Sequence, residues 1–304
     1  MSREGCFFGL SLLMILREIL RLLRPADALK NLLVFAPLVF AGGAGELSAW
    51  PPLLILFAAF CACASAVYIF NDLLDRGQDR RHPIKARRPL AAVTISPRTA
   101  VLLSLLLLAV GMLLAGLTDP VIMLILGIYV FQNIFYSLIL KKILLIDLII
   151  IALGYLLRVY AGGYTAEVPV SNWILMMTAL LSFIISIGKR RDDLALIGTD
   201  HEQHKRPDYS LRFLKILMFI CIPLTALLYL VYTLDPAVSV SHHREYYFLS
   251  ALPVWTALAA YAKSFLKSHG LGSPVRLLAR NLWIGIPLLL WIALQWWFHT
   301  GEGW

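Results

Sequence analysis

Charged side chains are scarce in this chain. Asp, Glu, Lys and Arg together make up 15% of its 304 residues, whereas apolar residues make up 60%. A soluble globular domain carries about 25% charged residues, so the composition excludes that class. We therefore interpret the chain as an integral membrane protein.

Cysteine is also sparse, and its spacing matches no metal site. Cys6, Cys61, Cys63 and Cys221 are the four cysteines, and each lies among apolar residues. We interpret them as small packing residues. The sequence also lacks an evident catalytic pair of His and Cys, so its chemistry must be sought among the few charged residues.

Long apolar runs predict an all-α, polytopic membrane protein with nine transmembrane helices, because a helix that spans a bilayer needs about 20 such residues. The runs are residues 30–46, 50–72, 98–117, 119–140, 143–164, 171–188, 211–234, 246–265 and 281–299. Nothing in the sequence resembles a soluble domain or a long linker. We predict one integral-membrane domain over residues 1–304, with the nine-helix bundle at 30–299.

The N-terminal segment, residues 1–24, is apolar but unlike the spans. Arg17 and Arg21 interrupt it, and no small-residue cleavage site follows. Apolar residues recur at helical spacing at Leu16, Ile19, Leu20 and Leu23. We predict an amphipathic helix that lies in the membrane surface. A cleaved signal or a spanning segment is the alternative.

The distribution of basic residues predicts the orientation of the chain. With nine spans, all but two of the 27 Lys and Arg fall on one side of the membrane, the exceptions being Arg244 and Arg158. The positive-inside rule then places the N-terminus in the cytoplasm and the C-terminus outside the plasma (inner) membrane. The net charge of +9 reflects this topology, so no nucleic-acid partner is needed to explain it.

The densest group of charges, residues 71–83 (NDLLDRGQDRRHP), lies where the second span ends. If residues 72–79 are helical, Asp72, Asp75 and Asp79 share one face and can bind one divalent cation. Basic residues that suit phosphate oxygens follow at Arg80, Arg81, Lys85, Arg87 and Arg88. The combination predicts a site for a polyphosphate. A solvated cytoplasmic loop would explain the cations, but not three acids at helical spacing.

A second charged cluster, Lys189-Arg190-Arg191-Asp192-Asp193, ends the sixth span at the same predicted membrane face. It can therefore converge on the first cluster across the bundle. Its excess of basic residues predicts binding of an anion rather than of a second metal. A stop-transfer cap on the helix is the alternative.

Several further polar residues are candidates because of where they lie. Arg158 falls inside the span 143–164, where an ionised group is costly unless it faces a polar cavity or a partner, so a salt bridge is the alternative to a site. Lys30 and Asn31 open the first span, and Tyr136 lies near the cytoplasmic end of the fourth.

The pattern Asn71-Asp72-x-x-Asp75-x-x-x-Asp79 resembles the signature of the UbiA superfamily of intramembrane prenyltransferases, and the resemblance covers nearly the whole chain. Other stretches resemble one branch, the decaprenyl-phosphate phosphoribosyltransferases. They are residues 24–25, 30–37, 79–91, 136–137, 157–163 and 188–190. Ordinary prenyltransferases of the superfamily have a second Asp-rich motif where this chain has residues 189–193. Val93 departs from the branch, which tends to have Gly there.

The resemblance implies a UbiA-like bundle that transfers 5-phosphoribose from phosphoribosyl diphosphate to a polyprenyl phosphate, with release of diphosphate. It implies Mg²⁺ as cofactor, Asp72, Asp75 and Asp79 as its ligands, and Arg158 as a further catalytic residue. The implied substrate-binding residues are Lys30, Asn71, Arg80, Lys85, Arg88, Tyr136, Lys189 and Arg190.

Two other functions compete with phosphoribosyl transfer. One is a prenyltransferase that moves a polyprenyl chain from its diphosphate to an aromatic or other small acceptor. The other is a transporter or lipid-phosphate-binding protein without chemistry. Membrane lipids are partners in every case. The oligomeric state stays open, because lipid-facing and helix-packing faces are both apolar.

Overall fold

A computed structural model of the chain describes residues 14–82, 84–139, 144–197, 210–236, 238, 246–267 and 281–300. Regular structure in these ranges is helical throughout, which confirms the predicted all-α class. The α-helices are α1 (residues 14–23), α2 (Ala36–Phe40), α3 (Trp50–Asp79), α4 (Pro97–Thr118), α5 (Pro120–Leu138), α6 (Leu144–Thr165), α7 (Asn172–Ile197), α8 (Leu211–Leu234), α9 (Ala251–Lys267) and α10 (Leu282–Thr300).

Six helices in the described ranges are long and apolar enough to cross a membrane. They are Leu47–Asp79, Pro97–Thr118, Pro120–Leu138, Leu145–Thr165, Asn172–Leu194 and Leu211–Leu234. These six coincide with the second to seventh predicted spans, so the protein is a multi-pass membrane protein.

The other three predicted spans are not among these six helices, so the count of nine stays a prediction. Residues 30–46 are not one helix: a 3-10 helix, Pro25–Phe35, leads into α2, which ends at Phe40. Proline restricts the backbone and removes a donor, and Pro25 and Pro37 each lie at the start of one of these pieces. The eighth run forms Tyr247–Ser250 and α9, of 17 residues, and the ninth forms α10.

The described residues fall into two compact units, and α6 contributes to both. The first unit contains the described parts of Met1–Leu140 together with Gly154–Val170. Its core is built on α3 and α5, with Leu56, Phe60 and Leu126 fully buried. Helix α4 approaches α3 closely at Gly111, where a Cβ would lie 2.5 Å from Cys63 Sγ. Cys63 is therefore a packing residue, as predicted.

Helix α1 packs on the first unit through Leu22 and part of the predicted apolar face, Ile19 and Leu23. Leu22 is fully buried against Ile69 and Leu90, whereas Leu16 and Leu20 are about half exposed. The Thr94 hydroxyl also donates to Glu18 of this helix at 2.9 Å. The location of α1 in the membrane surface stays a prediction.

The second unit contains the described parts of Lys141–Leu153 and Ser171–Trp304. Its core joins α7, α8 and α9 through Ile187, Leu214 and Phe265. Away from this core, Trp291 Nε1 donates to the Tyr229 hydroxyl at 2.6 Å, which links α10 to α8. The single-domain organisation of the chain stays a prediction.

Candidate active site

One face of α3 carries the polar residues that organise the first unit. Cys61, Ser65, Tyr68, Asp72 and Asp79 recur at helical spacing, and α3 continues to Asp79. The predicted helix over residues 72–79 is therefore confirmed. This face meets the chain that precedes and forms the Pro25–Phe35 helix: the Ser65 hydroxyl donates to the Leu23 carbonyl at 3.0 Å.

Asp72 and Asp79 converge on a single guanidinium nitrogen. Arg88 Nη1 donates to Asp72 Oδ1 at 2.9 Å and to Asp79 Oδ2 at 2.7 Å. Arg24 Nη2 donates to the same Asp72 oxygen at 2.5 Å. The two aspartates are only 2% and 4% exposed, respectively. Buried carboxylates need such paired cations, because desolvation of an unpaired charge is costly.

Asp75 shares this face of α3 but is only half buried. Across the described ranges, no three side chains of His, Cys, Asp or Glu cluster closely enough to hold a metal ion. The structure thus brings together two of the three predicted carboxylates, and the participation of Asp75 stays a prediction.

The Asp72–Asp79 pair fits a divalent cation. Oxygens of both carboxylates already lie within 3 Å of one positively charged atom, Arg88 Nη1. Mg²⁺ prefers oxygen ligands and is usually bound through one or two carboxylates, with water and substrate phosphates completing its octahedral shell. Asp72 and Asp79 would supply the protein ligands.

Arg24 also contacts Tyr68, one helical turn before Asp72, and a further cation, Lys30, lies beside the same ring. The Arg24 guanidinium carbon is 5.2 Å from the centre of the Tyr68 ring, and Lys30 Nζ is 5.8 Å from it. Lys30 also donates to Asp27 at 2.6 Å. Arg24 was absent from the predicted site residues. Its backbone has a φ of 53°, in the left-handed region that non-glycine residues rarely adopt.

The remaining candidates of the first loop are more exposed. Arg80 donates from Nε to the Ala91 carbonyl at 3.3 Å, and Lys85 begins the short 3-10 helix Lys85–Arg87. His82 Nδ1 accepts the backbone N–H groups of Ile84 and Lys85. Pro83 lies outside the described residues. The roles of Asn71 and Tyr136, both half buried, stay predictions.

Arg158 is buried inside the span Leu145–Thr165, with 4% of its surface exposed. Its Nε donates to Asn31 Oδ1 at 2.7 Å, Nη1 to the Gly154 carbonyl at 2.6 Å, and Nη2 to the Tyr129 hydroxyl at 2.9 Å. All three acceptors are neutral. The predicted alternative, a salt bridge, is not found among the described residues.

The second charged cluster belongs to the second unit. Asp147, which is 1% exposed, accepts hydrogen bonds from Arg190 Nε at 2.6 Å and Nη2 at 2.5 Å. Arg190 Nη1 lies 3.4 Å from Asp193 Oδ2, and Lys189 is exposed on α7, which continues past the cluster to Ile197. Sequence reasoning did not pair Asp147 with Arg190. The convergence of the two clusters stays a prediction.

Together, the spanning helices and the buried acid–arginine cluster define a multi-pass membrane protein whose polar site suits a metal ion and phosphate groups. The sequence matches the UbiA prenyltransferase family over residues 32–285. The chain therefore belongs to the UbiA prenyltransferase family and is an enzyme of that family.

Several relatives, among them the following two, carry a more specific name. The chain is 32% identical over 184 residues to the decaprenyl-phosphate phosphoribosyltransferase of Mycolicibacterium smegmatis, a stretch that covers 59% of this chain and 57% of that relative. It is 26% identical over 282 residues to the enzyme of the same name in Mycobacterium tuberculosis, covering 90% of this chain and 92% of that one.

Solved structures confirm the UbiA fold. A UbiA homolog from Archaeoglobus fulgidus, bound to GPP and Mg²⁺, is similar with a TM-score of 0.67 at 21% sequence identity. The superposition covers 93% of this chain and 99% of that chain.

Proposed function

We propose that the protein transfers 5-phosphoribose from phosphoribosyl diphosphate to a polyprenyl phosphate and releases diphosphate in an Mg²⁺-dependent reaction. The observation that carries this proposal is that Asp72 and Asp79 both accept hydrogen bonds from Arg88 Nη1. Arg24 and Lys30 lie beside them. Carboxylates that bind a metal, next to cations that bind phosphate oxygens, suit a diphosphate leaving group.

Two observations support a phosphoribosyl rather than a prenyl donor. The relatives named as decaprenyl-phosphate phosphoribosyltransferases include one that aligns over 90% of this chain. In addition, residues 189–193 are mostly basic, where ordinary prenyltransferases of the superfamily have an Asp-rich motif. A donor with several phosphate groups gives these basic residues a function.

The chemistry follows from the charges that develop. The bond between the anomeric carbon and the diphosphate oxygen breaks, and the leaving diphosphate keeps the electron pair. An oxygen of the lipid phosphate forms the new bond to the anomeric carbon. When bound, Mg²⁺ supplies positive charge that stabilises the leaving diphosphate. The acceptor is already an anion, so the residues need not include a strong general base.

The protein's own residues bind and orient the phosphate groups. We assign Asp72, Asp75 and Asp79 to the metal and Arg158 to a phosphate of the donor or the lipid. The proposed substrate contacts are Lys30, Asn71, Arg80, Lys85, Arg88, Tyr136, Lys189 and Arg190. We place this site at the cytoplasmic face of the plasma membrane, because the donor is soluble, with the C-terminus outside.

Prenyl transfer from a polyprenyl diphosphate is the second candidate. The observation in its favour is the likeness of the fold to a homolog bound to GPP and Mg²⁺. It predicts consumption of a prenyl diphosphate rather than of a prenyl monophosphate.

Diphosphate release by the purified protein with Mg²⁺ tests both candidates. One reaction contains phosphoribosyl diphosphate and decaprenyl phosphate, and the other contains decaprenyl diphosphate and 4-hydroxybenzoate. We expect release only in the first reaction and its loss with EDTA. Release only in the second would replace the proposal with prenyl transfer.

A further inference from the structure

Arg158 carries a buried positive charge that no described carboxylate neutralises. An arginine has five N–H donors, and three of those on Arg158 are used by Asn31, Gly154 and Tyr129. Its guanidinium carbon also lies 4.5 Å from the centre of the Tyr129 ring and 5.3 Å from that of Phe60. Aromatic rings and neutral acceptors compensate a buried cation only in part. The site thus favours an anion.

Gln132 supplies a second donor beside this guanidinium. Its Nε2 is buried and has no hydrogen-bond partner. Leaving such a group unpaired is costly, so native structures rarely do so. A Cβ added to Gly154 would lie 3.4 Å from Gln132 Nε2 and 3.5 Å from Arg158 Nη1. The two donors therefore border the same space beside Gly154.

This pair of donors lies at a different level along α3 from the Asp72–Asp79 pair. Asn31 connects the two regions: its Oδ1 accepts from Arg158, and its Nδ2 donates to Cys61 Sγ at 3.1 Å. Cys61 lies eleven residues before Asp72 on α3, which is about 16 Å along the helix axis. Lys30 and Tyr68 lie between the two levels. The two regions are thus far enough apart to contact two separate phosphate groups.

We propose that Arg158 and Gln132, with Asn31 and Tyr129, form a subsite for a phosphate monoester. The inference rests on the proposed function, whose reaction involves two such groups: the 5-phosphate of the sugar and the phosphate of the lipid. Gln132 would donate to a phosphate oxygen whose charge pairs with Arg158.

Gly154 offers a small change that tests the subsite. Its nearest neighbours would lie 3.4–3.6 Å from an added Cβ, which is ordinary van der Waals contact. Gly154→Ala should therefore fold, while its methyl group enters the space between the two donors. Gly127→Ala is the matched control, because its Cβ would meet only Met112 Cε at 3.9 Å. Gln132→Leu removes the donor and keeps similar bulk.

The experiment measures equilibrium binding of two probes, ribose 5-phosphate and decaprenyl phosphate, to the four proteins in lipid nanodiscs without turnover. We expect Gly154→Ala and Gln132→Leu each to lower the affinity for one of the two probes by about tenfold. Loss of a hydrogen bond to a charged group has an effect of this size. Gly127→Ala should change neither. Weaker ribose 5-phosphate binding assigns the subsite to the sugar, and weaker decaprenyl phosphate binding assigns it to the lipid.

Unchanged affinity for both probes in both variants would overturn the subsite, as would a wild-type protein that binds neither probe. The proposed function fails separately. If the wild type binds a probe through Gln132 but releases no diphosphate from phosphoribosyl diphosphate and decaprenyl phosphate, the subsite stands and phosphoribosyl transfer does not.

Discussion

Arg88 is bound to Asp72 through a single nitrogen, Nη1, at 2.9 Å, and this nitrogen also reaches Asp79 at 2.7 Å. It thus lies between the two carboxylates best placed to bind a divalent cation. A cation that contacts both carboxylates must compete with Arg88 for their oxygens. Once the metal displaces it from these oxygens, the Arg88 guanidinium is well suited to bind a phosphate oxygen of the substrate.

This competition predicts opposite effects on metal binding and on turnover when Arg88 is changed to Gln. In the absence of phosphoribosyl diphosphate, the affinity of Arg88→Gln for Mn²⁺, measured by electron paramagnetic resonance, should be about tenfold higher than that of the wild type. The reason is that two buried carboxylates lose the cation they share. Turnover should fall. Arg98→Gln, at an exposed position on α4, serves as the control. An Arg88→Gln protein with unchanged Mn²⁺ affinity would show that Arg88 and the metal do not compete.

The three aspartates of α3 can be separated by individual changes to Asn. We expect Asp72→Asn and Asp79→Asn to abolish Mn²⁺ binding, since their oxygens converge. Asp75→Asn should reduce turnover by about tenfold or more and raise the Mg²⁺ concentration needed, because one ligand to the metal is weakened. Thermal unfolding of each variant separates lost binding from lost folding. Full, Mg²⁺-dependent turnover by Asp75→Asn would remove Asp75 from the metal site.

Val93 departs from the Gly of the branch that this chain resembles, and its backbone explains why Gly suits the position. Its φ is 61°, and its side chain is 60% exposed. This left-handed conformation costs about 1–2 kcal/mol for a residue with a Cβ. Val93→Gly should therefore raise the free energy of unfolding by about 1 kcal/mol, with turnover unchanged. Val93→Ala, which keeps the Cβ, is the control. Equal stability of the Gly and Ala variants would show that the strain is not released.

Local periodicity predicted the parts of the site that lie on one helix. Asp72 and Asp79 are two turns apart on α3, and apolar length alone placed six spans correctly. The partners of these residues come from distant parts of the chain, because Arg24 is 48 residues from Asp72. Such pairs depend on packing that no local pattern encodes. Apolar length did not predict the form of residues 30–46, which the 3-10 helix Pro25–Phe35 and α2 cover in part, each with a proline at its start.

The role that we propose for Gln132 could not be predicted from the sequence, for a different reason. In the sequence this residue is one of two adjacent amides, Gln132 and Asn133, within an apolar span. Only the structure reveals that its Nε2 is buried without a partner and borders the same space as Arg158. A polar residue in a span can be recognised as a candidate binding residue only once its neighbours in space are known.

Asp147 offers a test of whether Arg190 must be held in place to bind the donor. Asp147 is buried and accepts two N–H groups of Arg190, whereas Asp193 is more exposed and lies 3.4 Å from it. Breaking a buried charge pair costs about 3 kcal/mol or more. Asp147→Asn should therefore lower the melting temperature.

If Arg190 binds a donor phosphate, Asp147→Asn should also raise the KM for phosphoribosyl diphosphate by about tenfold, with a smaller change in kcat. Asp193→Asn is the matched control, because an exposed ion pair contributes at most about 1 kcal/mol. In an Arg190→Gln background the Asp147 change should leave KM unaltered, since the guanidinium it orients is gone. A rise in KM that persists in this background would mean that Asp147 acts on the donor site by another route.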